Sequence, residues 1–407
     1  MAFSTHLEAA GLHSLYDARA ATDALFRLVR PGCLYDRPIP ERHRIIFYRG
    51  HLEAFDWNLI ARRDGEIAPF RADLDSLFAA GIDPGPGRLP SDKPSEWPEA
   101  PVVEEYVKRG RAVIDRVWDQ APEQLRWVAL EHRLMHAETF AYMLNNLPLA
   151  RLLPPPGVRY AASGPAPPTE MLEIPPGTAT LGRARSHGFG WDNEYEEHSV
   201  AVPAFSIAKH KVTNAEYLDF VKTGAPPPHF WLERNGSWYL RCMFAEIPLP
   251  LNWPVYVTHE QARAYAVWMG LSLPTEAEWH RAACGAPGGG ERPYPWGWAM
   301  PEVRRGNFGF RQWDPEPVTE PGGESAFGVA QLSGNGWEWT STVFAPFPGF
   351  EPFPFYPGYS AGFFDGAHYV LKGASPRTAP VFLRRSFRNW FRPTYPYLYA
   401  GFRCVER

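Results

Sequence analysis

The residues 151–168, RLLPPPGVRYAASGPAPP, divide the chain into two parts of different character. A stretch with so many prolines cannot hold a helix, and it has few apolar groups to bury. It therefore predicts a linker between two domains, at 1–150 and 169–407. A chain of 407 residues is long enough for two domains with their own hydrophobic cores.

The N-terminal part has apolar residues at the spacing of amphipathic helices rather than strands. Prolines separate these stretches, since proline interrupts a helix. Four helices with apolar faces predict a bundle, and bundles commonly build metal sites from side chains on facing helices. The predicted helices run near Leu15–Val29, Glu41–Arg62, Val102–Trp118 and Pro122–Leu147.

The fourth predicted helix carries the sequence EHRLMHAE, in which His132 and His136 are four residues apart. On a helix this spacing puts both imidazoles on one face, where they form half of a metal site. His51, in the second predicted helix, is the candidate third ligand, and three histidines would leave positions open for substrates. The alternative is a surface pair or a hydrogen-bonded core pair without metal. Zinc proteolysis is not indicated, because Arg133 stands where the His-Glu-x-x-His motif needs a glutamate.

The C-terminal part mixes short strands and helices without regular alternation. MLEIPPGTATLGRA reads as strand, turn and strand, and HSVAVPAFSIAKHKVT alternates as strands do. VTNAEYLDFVKTG predicts a helix with Thr213 or Asn214 as its N-cap. HEQARAYAVWMG, ending at Gly270, and LPTEAEWHRAACG predict two more, and the rest is expected to be aromatic-rich loop with brief strands. The pattern indicates an α+β fold rather than a doubly wound parallel sheet.

Charge and composition exclude several classes of function. The formal net charge of -4 does not indicate a polyanion-binding surface. No apolar run approaches the ~20 residues that cross a bilayer, and the first residues lack the basic and apolar regions of a secretory leader. These features predict a cytoplasmic protein that binds neither nucleic acid nor membrane. The four cysteines form no C-x-x-C pair and are expected to be reduced thiols.

Several separate motifs, in order along the chain, carry a family resemblance that covers nearly all of it. The C-terminal part resembles the formylglycine-generating-enzyme or sulfatase-modifying-factor type, a C-type-lectin-like fold. With a DinB-like four-helix bundle and its H-x3-H-x-E motif in front, the chain resembles the ergothioneine-pathway sulfoxide synthases, which are non-haem iron enzymes. The C-terminal motifs are WDNEYEEHSVAVPAFSIAKHKVTNAEYLDF, LSLPTEAEWHRAA, LSGNGWEWT, RRSFRNW and YAGFR.

The resemblance implies an Fe(II) cofactor held by His51, His132 and His136. Glu138 matches the last position of the H-x3-H-x-E motif, which implies a role in orienting one of the histidines. Such outer groups commonly fix the ring of a metal-binding histidine.

The resemblance also implies substrate-binding and catalytic residues in the C-terminal part. Tyr356 and Tyr359, in the YPGY run, match a catalytic tyrosine pair, and Tyr356 is the better candidate to donate a proton or an electron. Without the family, plain aromatic packing would be the preferred interpretation of both. Asn389 and Trp390 match positions that hold hercynine, the trimethylated histidine. An indole face suits a quaternary ammonium group.

Four positions depart from the pattern of the synthases that use γ-glutamylcysteine. Phe391 replaces an acidic residue, Tyr395 replaces an arginine, and Arg88 is the only arginine where several are expected. Met135 replaces a glutamine that would contact the hercynine imidazole. The charged grip on a dipeptide donor is therefore missing, and aromatic residues occupy this part of the sequence. They are Phe344, Phe355, Phe391, Tyr395 and Tyr397.

Aromatic faces with a few hydroxyls suit a sugar or a small zwitterion better than an acidic peptide. A divergent branch of the family, the selenoneine synthases, joins a selenosugar to hercynine. The resemblance thus predicts an O2-dependent iron(II) synthase that forms a C–Se or C–S bond between hercynine and a small selenol or thiol. A sulfoxide synthase using cysteine or another small thiol is the first alternative. A non-catalytic binding module is the second.

Overall fold

The computed structural model describes residues 14–63, 67–82 and 89–407, which form two compact units divided after Pro156. The division falls within the proline-rich stretch that the sequence predicts to be a linker. Within the described residues, no helix has the length and apolar character that crossing a bilayer requires.

The described residues of the first unit form five α-helices. Four of them are the helices that the sequence predicts, with ends shifted by a few residues. Ser14 begins the first one, since its hydroxyl accepts a hydrogen bond from the backbone N–H of Asp17 at 3.1 Å. The helices are α1 (Leu15–Phe26), α2 (Ile45–Asp56), α3 (Ala72–Ala80), α4 (Ala100–Val117) and α5 (Glu123–Asn145).

Helix α3, which the sequence analysis missed, packs against α2. Leu74 and Phe78 are its buried apolar residues, and nine residues are too few for a helix that is stable alone. Packing against α2 therefore stabilises α3. After α2, the residues Trp57–Ala61 continue as one π-helical turn, a feature often found near functional sites.

Helix α2 lies at the centre of this unit, because it contacts α3, α4 and α5, while α1 packs on α5. Helix α5 is buried along most of its length and on all sides. The two helices that carry His51, His132 and His136 therefore belong to the interior of the unit.

The second unit is α+β, as predicted, and its strands form four small sheets. The orders are β1-β4-β12, β2-β3, β5-β6-β7 and β10-β9-β8-β11, and all pairs are antiparallel except β8 with β11. Its strands are β1 (Met171–Ile174), β2 (Gly177–Leu181), β3 (His198–Val202), β4 (Phe205–Ala208), β5 (Trp231–Arg234), β6 (Ser237–Arg241), β7 (Glu246–Pro248), β8 (Gly336–Val343), β9 (Tyr369–Ala374), β10 (Asn389–Phe391), β11 (Ala400–Gly401) and β12 (Val405–Glu406).

Three helices of this unit begin at threonine capping boxes. Thr213, Thr258 and Thr275 each accept a side-chain hydrogen bond from the backbone N–H three residues on. The side-chain oxygen of the Glu or Gln at that position in turn accepts a hydrogen bond from the threonine N–H. Thr213 rather than Asn214 is thus the cap of the first. The helices are α6 (Asn214–Lys222), α7 (His259–Trp268) and α8 (Glu276–Cys284).

A buried carboxylate joins the largest sheet of this unit to the segments around it. Glu338 on β8 accepts hydrogen bonds from Arg403 at 2.6 and 2.8 Å and lies 2.9 Å from the Lys211 ammonium, all three side chains being fully buried. Burial disfavours the ionised acid, but Arg403 and Lys211 outweigh it and hold the pKa of Glu338 below its usual value. Arg403 belongs to the YAGFR motif, and its ion pair with Glu338 gives this motif a structural role.

The four cysteines are buried and free. Burial raises the pKa of the Cys284 and Cys404 thiols to about 12, so neither is an activated nucleophile.

Candidate metal centre and aromatic site

Helices α2 and α5 bring three histidines of the first unit together. His51 comes from α2, and His132 with His136 comes from one face of α5. One ring nitrogen of each lies within 4.8 Å of the others, and the Nε2 atoms of His51 and His136 are 3.3 Å apart. This convergence is what a trigonal set of imidazole ligands requires.

A backbone carbonyl sets the protonation of His51. Its Nδ1–H donates to the carbonyl oxygen of Phe78 on α3 at 2.7 Å, so that Nε2 presents its lone pair toward His136. Burial lowers the pKa of His51 to about 4, and it holds the pKa values of His132 and His136 well below the usual 6.5. All three rings are therefore neutral at pH 7, and a converging set of neutral imidazoles fits a divalent transition metal.

Aromatic rings of α2 pack on each of the three imidazoles. Phe55 stacks on His132 with centroids 3.4 Å apart and an angle of 9°, and Phe47 stacks on His51 at 4.8 Å. The ring of Tyr48 lies 5.9 Å from that of His136. Phe47 and Phe55 are four residues before and after His51, so helical spacing alone places them on its face. Neither residue was among the predicted site residues, although this spacing is visible in the sequence.

Gly50 allows α3 to approach His51 closely. A Cβ atom at this position would lie 2.5 Å from the ring of Phe78, whose carbonyl accepts the His51 hydrogen bond. Any larger residue must displace either the Phe78 ring or the whole of α3. A glycine at position 50 is thus required for the close approach of α3 that orients His51.

Replacing Gly50 with alanine is expected to weaken metal binding by about 10-fold or more, because it displaces the carbonyl that orients His51. The measurement is a Co(II) titration of metal-free protein. Gly110→Ala, in the middle of α4, is the matched control, since its new Cβ would meet the Glu53 side chain only at an ordinary 3.7 Å. Equal metal affinities for the two variants would contradict this role of Gly50.

Two further predicted residues lie on α5, and one lies outside the described residues. Met135 is half-buried and next to His136 in the chain. Glu138 is half-buried and two residues after His136, about 200° further around the helix. Its role in orienting a histidine stays a prediction, as does the contact of Met135 with substrate. Arg88 is not among the described residues.

The predicted tyrosines and Trp390 of the second unit form one aromatic cluster. Tyr359 stacks on the fully buried Trp191 at 3.9 Å and meets the edge of Trp390 at 5.4 Å. Tyr356 lies 5.6 Å from Tyr359. Phe344 covers one face of Trp390 at 4.2 Å with nearly parallel rings. Trp191 was missed by the sequence analysis, because nothing local to it indicates this contact.

The ionisation of Tyr356 is suppressed by its surroundings. Burial, and next the charge of Asp192, raise the pKa of its phenol above the usual 10. Asp192 itself accepts a hydrogen bond from Ser360 at 2.5 Å. Tyr356 is therefore protonated at neutral pH and has a proton to donate.

Further predicted residues lie next to Trp390 in the chain or shortly after it. Asn389 accepts a hydrogen bond from the backbone N–H of Trp390 through Oδ1 at 2.9 Å. Phe391 stacks on Tyr395 at 5.0 Å, and Tyr395 meets Tyr397 edge-on at 5.0 Å. These rings are half-buried and form a continuous aromatic row.

Comparison with known proteins identifies the family of the second unit and finds relatives over most of the chain. The family model of the sulfatase-modifying factor enzyme 1-like domain matches residues 160–407. The hercynine oxygenase of Mycolicibacterium smegmatis is 36% identical over 374 residues, which cover 84% of this chain and 85% of that protein. That of Mycolicibacterium thermoresistibile is 34% identical over 381 residues, covering 84% and 82%.

A fungal protein matches over a longer stretch of the chain. Ergothioneine biosynthesis protein 1 of Schizosaccharomyces pombe is 30% identical over 427 aligned residues, covering 93% of this chain and 54% of that protein. The chain therefore belongs to the ergothioneine-type sulfoxide synthase family and is an oxidoreductase-type synthase. An enzyme of this kind leaves no place for the alternative of a non-catalytic binding module.

Proposed function

We propose that this enzyme is a non-haem iron(II), O2-dependent synthase that joins the imidazole carbon of hercynine to the selenium or sulfur of a small donor. A selenosugar is the first candidate donor. The observation that carries the proposal is the convergence of three neutral imidazoles within 4.8 Å, in a chain related to hercynine oxygenases.

The three histidines would hold the metal through neutral nitrogen ligands. Bound iron(II) would supply O2 activation and a cationic centre that favours the donor as selenolate or thiolate. Three protein ligands leave the remaining coordination positions to the small molecules. The chain's own residues would do the rest, by holding hercynine, by selecting the donor and by supplying a proton.

Asn389 and Trp390 are proposed to hold hercynine. The trimethylammonium group would lie on an indole face, and Phe344 already covers the other face of Trp390. Because Phe344 and Tyr359 pack on Trp390 from two directions, the indole would not move when the ligand binds. Asn389 would hydrogen-bond the carboxylate or the imidazole.

The aromatic row is proposed to select the donor. Phe391 and Tyr395 offer no charge to a γ-glutamyl group, whereas stacked rings with phenol hydroxyls suit the apolar faces and hydroxyls of a sugar. Tyr356 would donate the proton that oxygen reduction consumes, since its raised pKa keeps it protonated. Tyr359, fixed between Trp191 and Trp390, would position it.

The electrons balance differently for the two kinds of product. Forming the bond from a chalcogen–hydrogen group and the imidazole C–H removes two electrons and two protons, which reduce O2 to hydrogen peroxide. Adding an oxygen atom to the chalcogen removes two electrons more, so that one O2 supplies that atom and one water. Formation of a selenide product is therefore accompanied by hydrogen peroxide. An oxide product made under 18O2 instead carries one 18O atom on the chalcogen.

The test is a donor comparison by mass spectrometry. Iron-loaded full-length protein, hercynine and O2 are combined in turn with a selenosugar, cysteine or γ-glutamylcysteine. A hercynine–selenosugar adduct as the main product supports the proposal, and turnover of γ-glutamylcysteine alone would overturn it. Phe391→Asp with Tyr395→Arg, which restores the charges of the γ-glutamylcysteine enzymes, is expected to shift preference toward that dipeptide.

A sulfoxide synthase acting on cysteine or another small thiol is the second candidate. The names of the relatives, hercynine oxygenase and ergothioneine biosynthesis protein 1, favour it. In the same assay it would give a hercynyl–cysteine sulfoxide, and the selenosugar would remain unchanged.

A further inference from the structure

One buried carboxylate in the first unit contacts an arginine from each of three helices. Glu53 lies on α2, two residues after His51, and is 1% exposed. Arg133 of α5 donates to both of its oxygens at 3.0 Å, and Arg111 of α4 donates to Oε1 at 2.9 Å. Arg19 of α1 lies 4.0 Å from Oε2. Glu53 therefore links α2 to the other three long helices.

The strongest of these links is made beside the metal ligands. Arg133 follows His132 directly and is fully buried. Besides Glu53, its guanidinium donates to Asp56 at 2.7 Å and to the backbone carbonyl of Leu52 at 3.1 Å. Arg133 thus forms hydrogen bonds along more than one turn of α2, from Leu52, the residue after His51, to Asp56.

These hydrogen bonds fix the register of α2 relative to α5, that is, the position of one helix along the other. A slip of one helical turn is about 5.4 Å, more than the spread of the three ligand atoms, and metal–nitrogen bonds of about 2.0–2.1 Å tolerate far less than a turn. Apolar contacts between helices tolerate small shifts, whereas a two-point hydrogen-bonded pair between Glu53 and Arg133 has one geometry.

We propose that Glu53 is a positioning residue for the metal site: its bond to Arg133 holds His51 in register with His132 and His136. The inference rests on the proposed metal site and adds to it a group that touches neither metal nor substrate. It predicts that metal affinity and coordination geometry depend on Glu53 beyond its effect on stability.

The test is Co(II) binding to metal-free Glu53→Gln protein, followed through the Co(II) absorption bands and through competition with a chelator. We expect about 10-fold to 100-fold weaker binding and altered band positions in protein that circular dichroism finds folded. Val103→Ala, a buried change on α4, is the control for general destabilisation and is expected to keep the wild-type spectrum. Glu53→Asp keeps the charge but shortens the side chain. Compared with Glu53→Gln, we expect it to recover more of the folding stability than of the Co(II) affinity.

Wild-type affinity and bands in folded Glu53→Gln would overturn this inference alone. Equal loss of affinity in Val103→Ala would overturn it too, because loss of stability would then explain both. Wild-type protein that binds no Co(II) would overturn the proposed metal site, and this inference with it.

Discussion

Replacing His132 or His136 with alanine is expected to abolish metal uptake and turnover together. Each change removes one of three ligands whose nitrogens lie within 4.8 Å of one another, and two imidazoles do not hold a divalent ion against solvent. The loss of metal affinity should exceed about 100-fold, the upper range for removing a group that only orients a ligand. Metal content by elemental analysis and product formation from hercynine measure the two effects.

His187→Ala is the control, since His187 is an exposed histidine of the second unit. It should keep both metal content and turnover. Thermal unfolding of the metal-free variants separates loss of a ligand from loss of fold. Turnover retained by folded His136→Ala would remove the three histidines from the mechanism.

Replacing Glu338 with glutamine is expected to destabilise the second unit by about 3–5 kcal/mol, because Arg403 and Lys211 would remain fully buried without their carboxylate. Urea unfolding followed by tryptophan fluorescence measures the change. The signal reports mainly this unit, which holds twelve of the sixteen tryptophans. The full chain is used, so two transitions are expected and the one with the larger fluorescence change is compared.

Glu170→Gln is the matched control for this change. Glu170 pairs with Lys209 at 2.8 Å, but both side chains are substantially exposed, and such a pair contributes about 0–1 kcal/mol. Equal effects of the two substitutions would mean that the buried charges around Glu338 do not hold this loop-rich unit together.

The predictable features of the fold are those set by residues close together in the sequence. The i, i+4 spacing of His132 and His136 placed them on one face of α5, and the sequence predicted a cap at Thr213 or Asn214. The structure selects Thr213, whose capping box with Glu216 is complete within four residues. Helix α3 was missed, because nine residues are too few for a helix that is stable alone and its packing against α2 leaves no local signal.

Apart from Phe47 and Phe55, whose helical spacing from His51 is local, the parts of the site that the sequence did not predict depend on contacts between distant segments. The carbonyl of Phe78 reaches His51 across 27 residues, and Glu53 meets Arg133 across 80. Trp191 lies under Tyr359, which follows much later in the chain. Every residue has a backbone carbonyl, so the sequence does not show which one accepts a hydrogen bond. The two residues of a buried ion pair look in the sequence like ordinary surface charges. Neither feature therefore leaves a local signal.

The most direct test of the central claim is the coordination of iron in the loaded protein. X-ray absorption of anaerobic Fe(II) protein should give one iron per chain with three imidazole nitrogens in its nearest shell, and each of the variants His51→Ala, His132→Ala and His136→Ala should lose that signal. Iron bound with fewer imidazoles in the wild type, or an unchanged spectrum in any of the three variants, would contradict the account.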